Sequence, residues 1–324
     1  MKAITIPEFG EAGVLRLGDV AAPEPGPGQV SIDVDFAGAN FAEVLYRRGV
    51  VDVPLPFVPG IEVSGRIRAL GAGVEGLRVG EPVAALTIVD SGGYAEVAVT
   101  SADLVAPLNG LDPMVAAAVP SNSTTAFLVL DRIARIAPGE RVLVHAAAGG
   151  VGSQLVQAAR LLGAGTVVGT VGSEAKVWAV RELGVKDVVL RDDLPGRVAE
   201  LTGGTGFDIA VDMVGGPARR TSLDALAPFG RMIAMGNASG ADDVPLSPNE
   251  LWFTNKTVSG FNLAAFSALH PAEAGRALCR AVAAVASGDL RVSVEAMPLE
   301  EAADAHRRIE SGKTTGKLVL AVRA

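Results

Sequence analysis

One cysteine and three histidines are spread through a chain of 324 residues. Cys279 alone excludes an intrachain disulfide and any thiolate zinc cluster. The histidines stand at 145, 270 and 306, too scattered to complete a tetrahedral set of N and S donors. Aromatic residues make up only 4% of the chain, so the core must be built mostly from Ala, Val, Leu and Ile. No apolar run approaches the roughly 20 residues of a membrane-spanning helix, and no membrane partner is expected. Net charge is −8 with no long basic run. That argues against nucleic acid, which needs clustered Lys and Arg. It leaves room for a phosphate-bearing cofactor, which needs only one or two local cations. The opening Met1-Lys2-Ala3-Ile4-Thr5-Ile6 meets Pro7 and Glu8 too soon for a signal peptide, and the expected location is cytoplasmic.

What is present is glycine in a telling place. The apolar run Arg141-Val142-Leu143-Val144 leads into His145-Ala146-Ala147-Ala148-Gly149-Gly150-Val151-Gly152-Ser153, and a segment of helical periodicity follows through Gly163. A buried strand, a tight turn and a helix opening form a phosphate cradle, because N–H groups at the helix start point outward and the dipole favours negative charge. Ala147, Gly149 and Gly152 occupy the three places of G-x-G-x-x-G, with alanine for the first glycine. Gly149 lets the backbone approach a pyrophosphate, and Gly152 lets helix and strand pack closely. Ala148, Gly149, Gly150, Val151 and Gly152 are therefore the candidate pyrophosphate residues.

The length suits two domains. Residues 1–120 carry short valine-bearing segments broken by Gly and Pro, such as Gln29–Val34, Gly65–Leu70 and Gly93–Val99, the pattern of antiparallel β structure. Residues 121–260 alternate strand and helix, with strands at Thr166–Thr170, Val188–Leu190, Asp208–Asp212 and Gly230–Met235, which implies a parallel sheet covered on both faces. Residues 261–324 are mixed, with helices near Ala272–Ser287 and Leu299–Ile309 and a last strand over Lys317–Val322.

This order resembles the medium-chain dehydrogenase/reductase superfamily over nearly the whole chain. The phrases Pro56–Gly65, Ala146–Gly152, Met235–Gly240 and Thr315–Leu320 are most similar to its zinc-independent quinone oxidoreductase (ζ-crystallin-like) branch. The resemblance implies an α/β protein: a Rossmann doubly wound parallel sheet domain, 121–260, inserted in a GroES-like β-rich catalytic domain, 1–120, completed by 261–324. Zinc alcohol dehydrogenases of the superfamily place a cysteine ligand after the second strand of the β domain and a histidine in a Gly-His-Glu segment. The matching stretches here read Ala37-Gly38-Ala39-Asn40-Phe41 and Pro59-Gly60-Ile61-Glu62, with neither ligand, and the four-cysteine lobe is missing too. No metal site is expected, and Glu62 is read as a residue that pairs within the first domain. Without a strong Lewis acid, the substrate should be intrinsically electrophilic: a quinone or an α,β-unsaturated carbonyl.

Two residues are candidates for the chemistry. Asn40, in the branch's Asn-x-x-Asp/Glu phrase, either donates to a substrate carbonyl or caps the helix that follows. Glu43 reads as a first-turn carboxylate. Tyr46 is a candidate proton donor, one helical step from the position of a tyrosine in some relatives. For the cofactor, no carboxylate ends the second strand of the alternating region, where NAD-preferring domains hold the ribose. Ser173 and Lys176 follow instead and suit a 2′-phosphate, and Arg191 either clamps that phosphate or stacks on adenine, so NADPH is expected. Gly236 and Asn237 follow a later strand where the backbone passes the nicotinamide half. By resemblance Thr125, Phe261 and Leu263 also line it. His145 reads as a structural member of the turn, Asp212 as a turn former, and His270 and His306 as surface residues. The resemblance also implies a homodimer through strands near Thr257–Leu263. The expected protein is an NADPH-dependent quinone reductase. The alternatives are an enoyl (thioester or alkenal) reductase, for which Arg47 and Arg48 offer a cationic mouth, and a non-enzymatic structural or RNA-binding role.

Overall fold

The computed structural model describes residues 1–323. The chain forms two compact units. One holds Met1–Thr124, Leu263–Gly288 and the chain from Val292 onward; the other holds Thr125–Asn262 with Asp289–Arg291.

The first unit begins with strands β1 (Lys2–Thr5), β2 (Arg16–Asp19), β3 (Gln29–Ala39), β4 (Glu62–Leu70), β5 (Pro82–Leu86), β6 (Val97–Ser101) and β7 (Val105–Pro107). The second unit supplies β8 (Arg141–Val144), β9 (Thr166–Val171), β10 (Asp187–Leu190), β11 (Phe207–Asp212), β12 (Leu226–Ala234) and β13 (Thr257–Gly260). The chain then returns to the first unit with β14 (Val294–Pro298) and β15 (Lys317–Ala321).

In the first unit the eleven-residue β3 organises the sheet. It pairs with β4 along one side; on the other it pairs with β6 over Gln29–Asp33 and with β15 over Phe36–Ala39. The last strand of the chain is thus hydrogen-bonded to the third. Side chains alternate faces along a strand, and Val30, Ile32 and Val34 of β3, Val63 and Ile67 of β4, and Leu318 and Leu320 of β15 all enter one buried core. Each such side chain contributes roughly 1.5–3 kcal/mol on burial. The segment expected as a strand over Gly93–Val99 pairs as a strand only from Val97 onward; before it, Ala95 makes a single bridge to Ala3.

The second unit is a six-stranded parallel sheet in the order β10-β9-β8-β11-β12-β13. Val142, Leu143 and Val144 are all fully buried, which explains why β8 reads as a continuous apolar run rather than an alternating one. The strand order reverses between β8 and β11, and in such sheets ligands bind outside the carboxyl ends at that reversal. The doubly wound sheet read from the alternation is present. The edge strand is shorter than expected: pairing ends at Ala234 with Gly260, and Leu263 opens a helix, Leu263–Leu269, instead of extending β13. No helix among the described residues is long and apolar enough to cross a membrane.

Candidate active site

At the carboxyl end of β8 the chain turns through Ala146, whose φ of +49° is left-handed. Gly149 N–H closes the turn on Ala146 O at 2.9 Å, and the helix Gly150–Leu161 starts there. Its first intrahelical bond runs from Ser153 N–H to Gly149 O, so the N–H groups of Gly150, Val151 and Gly152 precede the ladder, as the first donors of any helix do. Gly152 has no alternative: a Cβ there would sit 2.2 Å from Ala146 O and 2.8 Å from Ala146 C. Ala147 replaces the first glycine at no cost in contact, because Gly169 of β9 faces it; a Cβ on Gly169 would lie 2.8 Å from the Ala147 methyl.

His145 is structural. It is fully buried, with Nδ1 2.8 Å from Thr170 Oγ1 and Nε2 2.9 Å from Ser222 Oγ. Ser222 Oγ donates to Ala218 O, so Nε2 carries the proton and Nδ1 accepts from Thr170. Burial, with the Arg191 charge behind it and Asp212 opposing, pushes His145 down to about 4. Asp212 makes its turn: Oδ1 accepts from the N–H groups of Val214 and Gly215, and Oδ2 from Arg219 Nε. Arg219, which the sequence reading passed over, also donates to Gly236 O at 2.8 Å and pairs with Asp243. It ties together the loops after β11 and β12. Asn237 is held within that second loop, its amide donating to Ala241 O. Thr125 is buried, and Phe261 N–H donates to Ala234 O at 3.0 Å.

The tips of β9 and β10 bring cations together. Ser173 and Lys176 bracket the short turn after β9, and Arg191 opens the turn after β10. The position a Cβ would take on Gly172 is 3.5 Å from Arg191 Nη2, so the guanidinium lies over the end of β9. Arg191 Nε is buried without a hydrogen-bond partner. Burial and then the Arg191 charge push Lys176 below its ordinary value. Two neighbouring cations, one with an orphaned N–H, fit a phosphate dianion; Glu174 is the opposing local charge.

The first unit holds a different kind of cluster. Register puts Lys317 opposite Asn40, one step beyond the Leu318–Ala39 pair, and Glu62 opposite Gly38. Any side chain at Gly38 would fill the space used by the Glu62 carboxylate; a Cβ there would lie 2.4 Å from Glu62 Oε1. Glu62 is fully buried, accepting from Asn40 Nδ2 at 2.9 Å and Ser121 N–H at 2.7 Å and pairing with Lys317 Nζ. It does pair within its own unit, as expected. Lys317 Nζ also donates to Asn40 Oδ1. Glu43 is fully buried in the first turn of the helix Phe41–Arg47, where Oε2 accepts from Asn40 N–H at 2.9 Å and Oε1 from Ile61 N–H at 3.1 Å. Burial pushes Glu43 up to about 7; Lys317 and the backbone N–H groups of Glu43 and Ile61 pull the other way, and Glu62 adds to the rise. Lys317 was missed because a lysine opening a strand reads as a solvated end; only its pairing with β3 makes it central.

Tyr46 is half-buried, packed edge-on against Phe57 at 5.7 Å. Burial and then the Glu43 charge raise its phenol to about 12, so it is protonated at neutral pH. Two expectations are corrected. Arg47 is not at a mouth: it is fully buried and bonds Glu310 at 2.6 Å, and Arg48 pairs with the same carboxylate. His306 is not a surface residue: it is fully buried, its Nε2 3.4 Å from Tyr94 OH, and burial with the Arg47 charge pushes it down to about 3. Both follow from the docking of helix Ala302–Glu310 in the first unit, which helical periodicity cannot orient. Among the described residues no group of three or more His, Cys, Asp or Glu side chains could hold a metal ion.

The two units match known families. Residues 26–110 match the alcohol dehydrogenase GroES-like domain, and residues 150–275 match the zinc-binding dehydrogenase family. The fold and both matches define a medium-chain dehydrogenase/reductase. A quinone oxidoreductase of Pseudomonas aeruginosa is 33% identical over 329 residues, covering 98% of this chain and 99% of that one. A 2-haloacrylate reductase of a Burkholderia species is 34% identical over 318 residues, covering 93% of each chain. The solved structure of the Escherichia coli quinone oxidoreductase, complexed with NADPH, superposes with a TM-score of 0.92 at 30% identity, covering 99% of this chain and all of that one. The chain belongs to the medium-chain dehydrogenase/reductase superfamily, with quinone oxidoreductases among its relatives.

Proposed function

We propose that the protein is an NADPH-dependent, zinc-independent reductase of quinones. The observation that carries this reading is the replacement of metal donors by an ion cluster. Where zinc-dependent members carry Cys and His, this chain has Ala39-Asn40 and Ile61, and Asn40, Glu62 and Lys317 bond one another there. In this reading Gly150, Val151 and Gly152 N–H groups hold the pyrophosphate, with Ala148 and Gly149 shaping the turn. Ser173, Lys176 and Arg191 hold the 2′-phosphate. Thr125, Gly236, Asn237, Phe261 and Leu263 border the nicotinamide half. The bound nicotinamide supplies hydride, while the protein supplies orientation and electrostatics. A quinone spreads incoming charge onto its carbonyl oxygen, so a hydrogen-bond donor suffices where a simple ketone would need a stronger electrophile. Asn40 is that donor, and the protonated Tyr46 phenol is the candidate proton source.

The test is NADPH oxidation with a panel of quinones, alkenals, enoyl thioesters and 2-haloacrylate. Quinones should turn over fastest, in protein free of stoichiometric zinc and indifferent to chelators. One tightly bound zinc per chain, lost together with activity, would end this reading. The second reading, reduction of an activated alkene, is favoured by the 2-haloacrylate reductase relative; preference for the enoyl compounds would select it.

We also propose a homodimer through β13. This strand ends its sheet, and an unpaired edge invites strand addition. Trp252 and Phe253, 70% and 75% exposed and stacked at 4.7 Å, precede it closely in sequence. Phe229, 75% exposed, is tied by its N–H to Asn255 O. A monomeric mass by light scattering at micromolar concentration would reject the dimer.

A further inference from the structure

We propose that Lys317 is a positioning residue that fixes and polarises the Asn40 amide as the hydrogen-bond donor to substrate; this rests on the reading of Asn40 above. The amide has two ends and two N–H bonds, and their partners are unequal. Oδ1 accepts from Lys317 Nζ and, in the capping box of the helix Phe41–Arg47, faces the Glu43 N–H. One Nδ2 proton has a short, charged acceptor, Glu62 Oε1 at 2.9 Å. The other has only longer options, Gly38 O at 3.3 Å and Glu43 Oε1 at 3.4 Å. It is the proton a substrate oxygen can take at least cost.

The ammonium acts twice on that proton. An ammonium has donors and no acceptor, so it forces the amide oxygen to face it and forbids the flipped rotamer. A cation on the carbonyl of an amide also draws electron density from its N–H, and hydrogen bonds in a chain strengthen one another. Glu62 supports the same orientation from the other side, since a carboxylate can only accept. Ser121 N–H holds Glu62 in place, in the space that the missing side chain at Gly38 leaves it. A positive charge one amide removed from substrate thereby contributes electrophilic assistance.

The experiment uses the full chain with Asn40→Ala, Lys317→Met, Lys317→Arg and the double variant Asn40→Ala/Lys317→Met. Steady-state rates are measured with NADPH and 1,4-benzoquinone. Side-chain amide resonances of Asn40 are recorded by ¹⁵N NMR without cofactor. Lys317→Met should lower kcat about tenfold, a fraction of what losing a whole oxyanion donor costs, with KM for NADPH unchanged. Lys317→Arg should restore part of kcat. The double variant should be no slower than Asn40→Ala, and the Asn40 amide resonances should move in Lys317→Met. Losses from Asn40→Ala and Lys317→Met that multiply in the double variant would overturn the proposal while leaving Asn40 as a donor. Full kcat in Asn40→Ala would overturn both. If Lys317→Met does not fold, Lys317→Gln keeps a donor of similar reach without the charge; unchanged kcat and unchanged Asn40 resonances in that folded variant would also overturn the proposal.

Discussion

In the parallel-sheet unit the groups proposed to hold the pyrophosphate are main-chain N–H donors, beside a left-handed Ala146 and a glycine that tolerates no side chain at 152. In the β-rich unit the corresponding work falls to side chains. Asn40, Glu43, Glu62 and Lys317 come from three strand ends and one helix start and satisfy each other out of water. The first arrangement costs little, because backbone donors at a helix start are uncharged and need no counter-ion. The second places two carboxyl groups and one ammonium in a buried site, where each depends on the others. A local motif can build the first; only strands from distant parts of the chain, paired in one sheet, can build the second.

That difference makes the two units break differently. The largest effect should come from Glu62→Ala, which strands Lys317 and leaves Ser121 N–H and Asn40 Nδ2 without their acceptor. Removing one member of a buried pair costs about 3–5 kcal/mol, so urea denaturation should show a loss of that size. Glu62→Leu combined with Lys317→Met should recover much of it. Equal stability of the single and double variants would mean that the cluster is not a unit.

Gly152→Ala comes next. A Cβ at 2.2 Å from a backbone oxygen cannot be relieved by a side-chain rotation. The strain, about 1–3 kcal/mol for overpacking, outweighs the roughly 1 kcal/mol that alanine gains over glycine in a helix. NADPH affinity by fluorescence titration should fall with thermal stability. A variant that binds NADPH normally would show that the turn has slack.

Lys176→Ala should spare the fold and cost about 1–3 kcal/mol of NADPH binding for a charge-assisted bond. The affinity for NADH should hold, and kcat at saturating NADPH should change little, because the contact persists through the reaction. Equal losses for both cofactors would dismiss the 2′-phosphate assignment.

The smallest effect is in the pH dependence of stability, where the buried groups pull in opposite directions. Glu43 is raised to about 7, so the folded state holds a proton that the unfolded state releases. Its contribution is complete below the unfolded value, near 4.5, and is lost as pH rises through about 7. His145 and His306 are lowered to about 4 and 3. Their contribution is present above the unfolded value near 6.5 and is lost as pH falls through those values. Glu43→Gln removes the opposing slope, so the midpoint of thermal unfolding should fall more steeply between pH 6.5 and 4.5 than in the parent. Parallel curves would mean that Glu43 is ionised in the fold throughout.

The sequence by itself determined the parallel sheet, the strand–glycine turn–helix unit after β8 and the lack of metal donors at Ala39 and Ile61. Each of these is written in contiguous residues: a buried strand, a glycine turn and a helix start lie within about 20 positions, and strand–helix alternation is a local period. His145 and Asp212 were legible for the same reason, since their roles are settled by the turns they sit in. The tertiary structure alone decided the rest. Arg47 and His306 look solvated along their helices, yet both are buried, because packing and not periodicity chooses which polar residue faces inward. Lys317 lies 277 residues from Asn40, and nothing in either segment specifies the other. They meet because β15 pairs with β3 in one register, and the missing side chain at Gly38 leaves space for Glu62 beside them. Charge pairs across strands depend on register, and a one-residue slip turns every side chain to the opposite face.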